Sequence, residues 1–143
     1  MRCWYFALLI FSSWLLPAPA LAVLPSFDDF FREVSECRLD MGRYGELVDP
    51  RRDGVLISLP AAGAVRGMLI SAFYFAPAGS EGAEEYGLLI NAPLEAVERT
   101  FPEFAGRHTV NGHVRRLARL SEQTGDRSAG RQTLLMCVAG TAV

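Results

Sequence analysis

Lysine is absent from this sequence: its 14 basic residues are all arginine, against 16 acidic residues and a formal net charge of −2. A chain without a strongly basic balance is not expected to bind nucleic acid in general, because such binding needs a positive surface. The absence of lysine fits a GC-rich bacterial coding bias. Arginine also suits protein interfaces, since its guanidinium is planar and weakly hydrated.

Sequence motifs for catalysis and cofactor binding are absent as well. The chain has no G-x-S-x-G nucleophile elbow, no P-loop and no dinucleotide-binding glycine fingerprint. Its two histidines, His108 and His113, are too few for a typical zinc site without help from thiols or carboxylates. We therefore expect no metal, no cofactor and no enzyme activity. A catalytic site assembled from dispersed residues stays open as an alternative, because it would leave no such motif.

The longest apolar or neutral run lies at the N-terminus, where Trp4–Leu16 follows the positive start Met1-Arg2. This run of 13 residues is shorter than the ~20 residues that a membrane span needs. Ala20–Ala22 then gives the small-x-small pattern that signal peptidase recognises. We predict that residues 1–22 are a secretory signal peptide and that the protein is periplasmic or secreted, with no stable membrane span after cleavage. A retained membrane span is the alternative.

Cysteine is scarce, and its positions predict a disulfide. Cys3 lies in the predicted signal peptide, which leaves Cys37 and Cys137 as a pair in residues 23–143, the single predicted domain. In an oxidising compartment an even pair of cysteines is expected to form a bridge. The bridge would join the first structural element to the last. Two buried free thiols are the alternative.

Two helices are predicted from capping residues and apolar spacing. Ser26 is a good N-cap with Asp29 three residues later, and the apolar periodicity that follows predicts a helix over residues 27–39. Cys37 follows Phe30 by seven residues, so it is expected on the same buried face of this helix. Pro93 suits the first position of a second helix, and Pro102 is expected to end it near Thr100. The glycine- and charge-rich residues 41–53 are predicted to form a loop.

Strands are predicted where short apolar runs lie between turn residues. They are Gly54–Leu59, Arg66–Ala76, Glu85–Asn91, Val114–Leu120 and Gln132–Ala139. Pro60 is expected to end the first, with residues 61–64 as a turn. The fourth is ambiguous. Asn111-Gly112 is a typical hairpin-turn dipeptide, which would place His108 near Arg115 across the ladder, but a helix capped by Asn111 also fits the pattern. We predict an α+β domain of order α-β-β-β-α-β-β, with an antiparallel sheet of about five strands, two helices and one disulfide.

Charge is distributed unevenly along the chain. Residues 23–103 contain 7 arginines and 14 acids, whereas residues 104–143 contain 6 arginines and 2 acids. Arg115, Arg116 and Arg119 are the densest basic group. The asymmetry has two interpretations: intramolecular charge pairing, or a basic surface for an acidic partner. We take these three arginines as candidate partner-binding residues, with alternate strand positions placing Arg116 opposite the other two.

The composition favours a small exported protein that binds another protein without catalysis. An inhibitor or immunity factor against an envelope-targeting effector has these properties, which is an argument by analogy. Its partner is expected to be another envelope or secreted protein. The alternative is a periplasmic carrier or sensor for a small ligand or lipid, because the aromatic strand Met68–Phe75 could line a cavity. Buried core is the other interpretation of that strand.

Overall fold

A six-stranded antiparallel sheet forms the centre of the structure, a computed structural model that describes residues 26–44, 56–78, 83–127 and 130–140. The predicted signal peptide lies outside the described residues. In space the strands follow the order β1-β2-β3-β6-β5-β4, and every neighbouring pair is antiparallel. The strands are β1 (Leu56–Val65), β2 (Met68–Ala76), β3 (Glu85–Ile90), β4 (Arg107–Val110), β5 (His113–Arg119) and β6 (Thr133–Ala139).

Four short helices accompany the sheet in the described part of the chain. They are α1 (Phe27–Ser35), α2 (Met41–Tyr44), α3 (Leu94–Thr100) and α4 (Leu120–Thr124), and a 3₁₀ turn spans Pro102–Phe104. None of them is long and apolar enough to cross a membrane. The predicted α+β class, the antiparallel sheet and the single disulfide are confirmed. The sheet has one strand more than expected, β4. The structure also contains two short helices that were not predicted, α2 and α4.

Helix α1 begins where its capping residues predict and ends earlier than predicted. The Asp29 N–H donates to Ser26 Oγ over 3.1 Å, which is the expected N-cap. At the other end, the Cys37 N–H donates to the Val34 carbonyl and the Arg38 N–H to the Glu33 carbonyl, both over 3.0 Å. These two bonds form a Schellman motif, which ends the helix at Ser35. The prediction that α1 continues to residue 39 is therefore wrong.

The predicted disulfide is present and joins the end of α1 to β6. Cys37 and Cys137 are bonded, with Cα atoms 5.5 Å apart, and both residues are fully buried. Cys37 has a φ of +52°, the left-handed conformation that glycine usually supplies at this position of a Schellman motif. Cys37 therefore lies in the turn after the helix, whereas its spacing from Phe30 had predicted a place on the helix face.

The hydrophobic core lies mainly between α1 and the sheet. Phe30 packs against Tyr44 at 5.0 Å and against Phe73 at 5.9 Å between ring centroids, and all three side chains are almost fully buried. Phe73 belongs to the aromatic strand Met68–Phe75, and its ring is part of the core. A second buried cluster lies on the opposite face of the sheet. Its members are Ala72, Tyr74, Leu89, Ala118, Leu120, Leu134 and Met136.

Strand β1 continues through Pro60, contrary to the prediction that Pro60 ends it. The register with β2 shifts between Ser58 and Gly63, and β1 is the last strand at its end of the sheet order. A proline is tolerated at such an edge, because the missing N–H is not needed on the open side. The hairpin turn lies instead at Arg66–Gly67, where both φ angles are positive.

An irregularity in β2 changes which side chains share a face. Ile70 lies opposite Ile90, whereas Ala72 lies opposite Leu89, so one extra residue is inserted between the two pairs. Such a bulge reverses the alternation of side chains along a strand. Ile70 and Phe73 consequently lie in the same core cluster, although strict alternation would place them on opposite faces.

The ambiguous segment forms a strand and then a short helix. Asn111 and Gly112 have φ angles of +47° and +78°, as the two-residue turn of a β-hairpin requires. Strand β5 follows, and α4 begins at Leu120, so the predicted strand is right except for its last residue. Residues 41–44, predicted as loop, form α2, while residues 45–53 of that loop lie outside the described residues.

We expect removal of the disulfide to lower the free energy of unfolding by up to about 4.7 kcal/mol, the chain-entropy value for a loop of this length. Urea unfolding of the double variant Cys37→Ala/Cys137→Ala measures it against the oxidised protein. A matched variant, Cys37→Gly/Cys137→Ala, should regain about 1 kcal/mol, because glycine adopts the left-handed conformation without penalty. Equal stability of the oxidised protein and the alanine double variant would contradict the stabilising role of the bridge.

Candidate functional site: the arginines of β4 and β5

The three candidate arginines do not converge on one site. Arg115 lies opposite Cys137 and His108, whereas Arg116 lies opposite Met136 and Arg107. Side chains alternate along a strand, so Arg115 and Arg119 lie on the α1 side of the sheet and Arg116 on the other side. This division agrees with the sequence prediction, and each arginine has different surroundings.

Arg115 is engaged in contacts within the protein. Its Nη1 donates to the Ser35 carbonyl over 2.8 Å, and its Nη2 to the Glu103 carbonyl over 3.0 Å. The guanidinium also lies over the Phe104 ring, 4.8 Å from its centroid. The Ser35 carbonyl belongs to the last turn of α1, where helix carbonyls lack partners within the helix. Arg115 therefore supplies a hydrogen bond and a positive charge to the end of α1.

Asn111 adds a second contact to the same helix end. Its side-chain Nδ2 donates to the Glu36 carbonyl over 2.8 Å. Together with Arg115 and the disulfide at Cys37, it makes three connections between the end of α1 and the β4, β5 and β6 region. Asn111 thus serves the turn through its positive φ and also contacts a distant helix. The second role could not be predicted from the sequence, because it depends on how the fold places the turn beside α1.

Arg66 makes a related set of contacts from the β1–β2 turn. Its guanidinium lies 4.9 Å from the centroid of Phe101, donates to the Thr100 carbonyl over 3.1 Å and pairs with the Glu103 carboxylate at 2.7 Å. Phe101 and Phe104 stack on each other at 5.3 Å. Two arginines from different strand pairs therefore hold the segment from α3 through the 3₁₀ turn.

Arg119 is paired with acids at the surface. Its guanidinium contacts Glu95 Oε1 at 2.5 Å and Glu122 Oε1 at 3.1 Å. The pKa of Glu95 is lowered, first by a hydrogen bond from its own backbone N–H and then by Arg119. The carboxylate consequently stays charged to lower pH than usual and keeps its pairing with Arg119. Exposed pairs of this kind contribute little to stability, but they occupy Arg119.

Arg116 and Arg107 are the cations without an acidic partner in this region. They face each other across the β4–β5 ladder, and neither guanidinium makes a hydrogen bond or an ion pair with another described residue. Arg107 is exposed and Arg116 is half-buried. Like charges directly opposite one another in a sheet are destabilising. Sequence reasoning missed Arg107, because only the strand register brings it next to Arg116.

The sheet face of Arg116 also contains a small polar network. Gln123 Nε2 donates to Tyr74 Oη over 3.1 Å and to Glu85 Oε2 over 3.0 Å. Burial is the main reason that the pKa of Tyr74 is raised, and the nearby positive charge of Arg116 acts in the opposite direction. Tyr74 is therefore a neutral hydrogen-bonding group at neutral pH, and its hydroxyl donates to Glu85 Oε2 over 3.3 Å.

Each histidine ring lies within hydrogen-bonding distance of a backbone carbonyl two or three residues away in the sequence. His108 Nε2 lies 2.7 Å from the Ala105 carbonyl, and His113 Nδ1 lies 3.0 Å from the Asn111 carbonyl. His108 lies opposite Arg115 in the ladder, as the hairpin turn had predicted. Among the described residues there is no group of three His, Cys, Asp or Glu side chains that could hold a metal ion. The absence of metal and cofactor sites stays a prediction for the chain as a whole.

Comparison with known proteins gives no further guide to the site: no protein-family model, no curated protein and no solved structure matches this chain. The assignment of a function therefore depends on the geometry and charge described above.

We expect Arg115→Met to lower the free energy of unfolding by about 1–3 kcal/mol, because two charge-assisted hydrogen bonds to backbone carbonyls are lost. The methionine keeps part of the packing against Phe104, so the hydrogen bonds dominate the difference. Arg119→Met is the matched control and should leave the stability nearly unchanged, since its ion pairs are exposed. Chemical unfolding of both variants measures the contrast, and equal effects would show that Arg115 has no special structural role.

Proposed function

We propose that this protein is a small exported, non-enzymatic protein that binds another protein through the basic pair Arg107 and Arg116. The partner is an envelope or secreted protein with an acidic surface, and an inhibitor or immunity factor is the class that fits best. The observation that carries the proposal is the like-charge pair itself. It weakens the hairpin in the isolated protein, and an anionic group placed against it would remove the repulsion.

Arginine chemistry supports a carboxylate-bearing partner. A guanidinium offers donors in a planar fork that matches both oxygens of a carboxylate. Arg107 is exposed, and Arg116 is half-buried beside it. The other two candidates are engaged within the protein, Arg115 through hydrogen bonds from its two Nη atoms to backbone carbonyls and Arg119 through ion pairs with Glu95 and Glu122.

The compartment is part of the proposal. A disulfide is stable where the surroundings are oxidising, and this one closes a loop of 100 residues. With the apolar N-terminal run it supports export to the bacterial periplasm or beyond. The small-ligand carrier is less well supported, because the aromatic strand on which it depends buries Phe73 completely against Phe30.

Affinity capture from cell-envelope extract tests the proposal. The bait is the oxidised protein, expressed as the full chain and purified after export, and it is compared with the variants Arg116→Glu and Arg131→Glu. Arg131 is an exposed turn residue, so its reversal changes the net charge equally at another place. We expect one stoichiometric partner that is lost with Arg116→Glu, kept with Arg131→Glu and weakened by salt. Capture of the same proteins by all three baits would refute the proposed surface.

We expect Arg107→Glu to raise the stability of the isolated protein while it weakens partner binding. The substitution turns a repulsive cross-strand pair into an attractive one, with an expected gain of about 0.2–1 kcal/mol that shrinks as salt is added. Arg107→Gln is the matched control and should give a smaller gain. Urea unfolding at low and high salt measures it. Destabilisation by both substitutions would mean that Arg107 already has a stabilising role in the fold.

A further inference from the structure

We propose that the partner binds as an extended acidic segment that adds to the sheet as a new strand along the open edge of β4. This inference rests on the proposed function, because it uses the same Arg107–Arg116 pair. It goes further in naming the mode of binding and the chemistry of the segment. Strand addition of this kind draws its affinity from main-chain hydrogen bonds and its specificity from alternate side chains.

One hydrogen bond at the start of β5 shows which neighbouring strand the N–H and C=O groups of each β5 residue face. The Gly140 N–H donates to the Gly112 carbonyl over 3.1 Å, and these residues flank the opposed pair His113 and Ala139. In an antiparallel ladder, bonds between the flanking residues mark a pair that is not itself hydrogen-bonded. His113 therefore directs its backbone groups away from β6 and towards β4.

The same alternation identifies the free backbone groups of β4. Val110 lies opposite His113, and His108 lies opposite Arg115, so these two residues of β4 are hydrogen-bonded to β5. Arg107 and Thr109 lie opposite residues whose backbone groups point to β6. The N–H and C=O groups of Arg107 and Thr109 consequently point outward from the sheet.

This edge is open in the part of the chain that the structure describes. Strand β4 is the last in the sheet order, and Arg107, His108 and Thr109 are all exposed. An edge strand of this kind is a template for a further strand. Two donor and two acceptor groups, those of Arg107 and Thr109, are in position for pairing.

The positive charges of Arg107 and Arg116 favour an acidic segment as the added strand and disfavour a second copy of this chain. Pairing of β4 with β4 of another copy would bring two sets of Arg107 and Arg116 side by side, which electrostatic repulsion opposes. Basic side chains on a short edge are a known protection against such self-association. An acidic side chain on the added strand, on the face shared by Arg107, Thr109 and Arg116, would instead form favourable cross-strand and diagonal pairs.

Amide hydrogen exchange tests the mode of binding directly. The probe is a short, blocked peptide of alternating Glu and Val, and the matched peptide replaces Glu by Gln. Binding of the Glu peptide to the ¹⁵N-labelled full chain should slow exchange at the outward amides of Arg107 and Thr109. The inward amides of His108 and Val110, already bonded to β5, should change little. Absence of binding, or binding without protection at Arg107 and Thr109, would overturn the proposal.

A proline substitution provides an independent test. Thr109→Pro removes an outward N–H that β5 does not use, a change that edge strands tolerate, and Thr109→Val keeps the N–H. We expect the proline variant to bind the Glu peptide about tenfold more weakly or worse, because one main-chain hydrogen bond is lost and its acceptor is left unpaired. The valine variant should bind as the unchanged protein does. If the proline variant does not fold, the exchange experiment decides alone.

Failure of the strand mode is distinguishable from failure of the proposed function. If Arg116→Gln abolishes capture of the envelope partner while Thr109→Pro leaves capture intact, the basic pair binds a partner and the strand addition is wrong. If neither substitution affects capture, the basic pair is not the binding surface and both proposals fail. If both abolish it and Thr109→Val does not, both stand.

Discussion

The end of helix α1 is the point on which the rest of this structure depends. Cys37 adopts a left-handed conformation that costs an L-residue roughly 1–2 kcal/mol, and glycine would avoid that cost. The cysteine is needed there because its sulfur must reach Cys137 on β6. The turn also sets the direction of the two carbonyls that accept from Arg115 and Asn111. Helix, disulfide and hairpin are thus positioned by the same few residues.

This arrangement explains part of the uneven charge distribution. Arginines from the basic C-terminal part of the chain are bonded to groups from the acidic part. Arg115 binds carbonyls of α1 and of the 3₁₀ turn, and Arg119 pairs with Glu95. The Arg119–Glu95 ion pair is intramolecular charge pairing between the two parts, one of the two interpretations that the sequence left open. The contacts of Arg115 are hydrogen bonds to uncharged carbonyls. Arg107 and Arg116 form a cross-strand pair whose side chains have no acidic partner among the described residues. A proposal about partners rests more securely on this pair than on the density of arginines in the sequence.

Local signals in the sequence predicted local structure well. The N-cap at Ser26, the hairpin turn at Asn111–Gly112 and the helix end before Pro102 are all confirmed, because each depends on backbone preferences of a few neighbouring residues. The disulfide was predictable by elimination once Cys3 was assigned to the predicted signal peptide. Features set by strand pairing were not predictable. The continuation of β1 through Pro60, the bulge after Ile70 and the meeting of Arg107 with Arg116 depend on residues distant in the sequence.

The β4 edge can serve protection and recognition by the same physical means. A strand of only four residues with exposed basic side chains discourages pairing between copies, at the cost of a repulsive pair within the hairpin. That repulsion acts in the protein on its own. An acidic strand laid along β4 would turn it into attraction while using backbone groups that the fold leaves free. The short length and basic side chains that discourage pairing with a second copy of the chain are therefore the features that would make the edge selective for an acidic partner. Local destabilisation at such a surface is an expected consequence of a binding role.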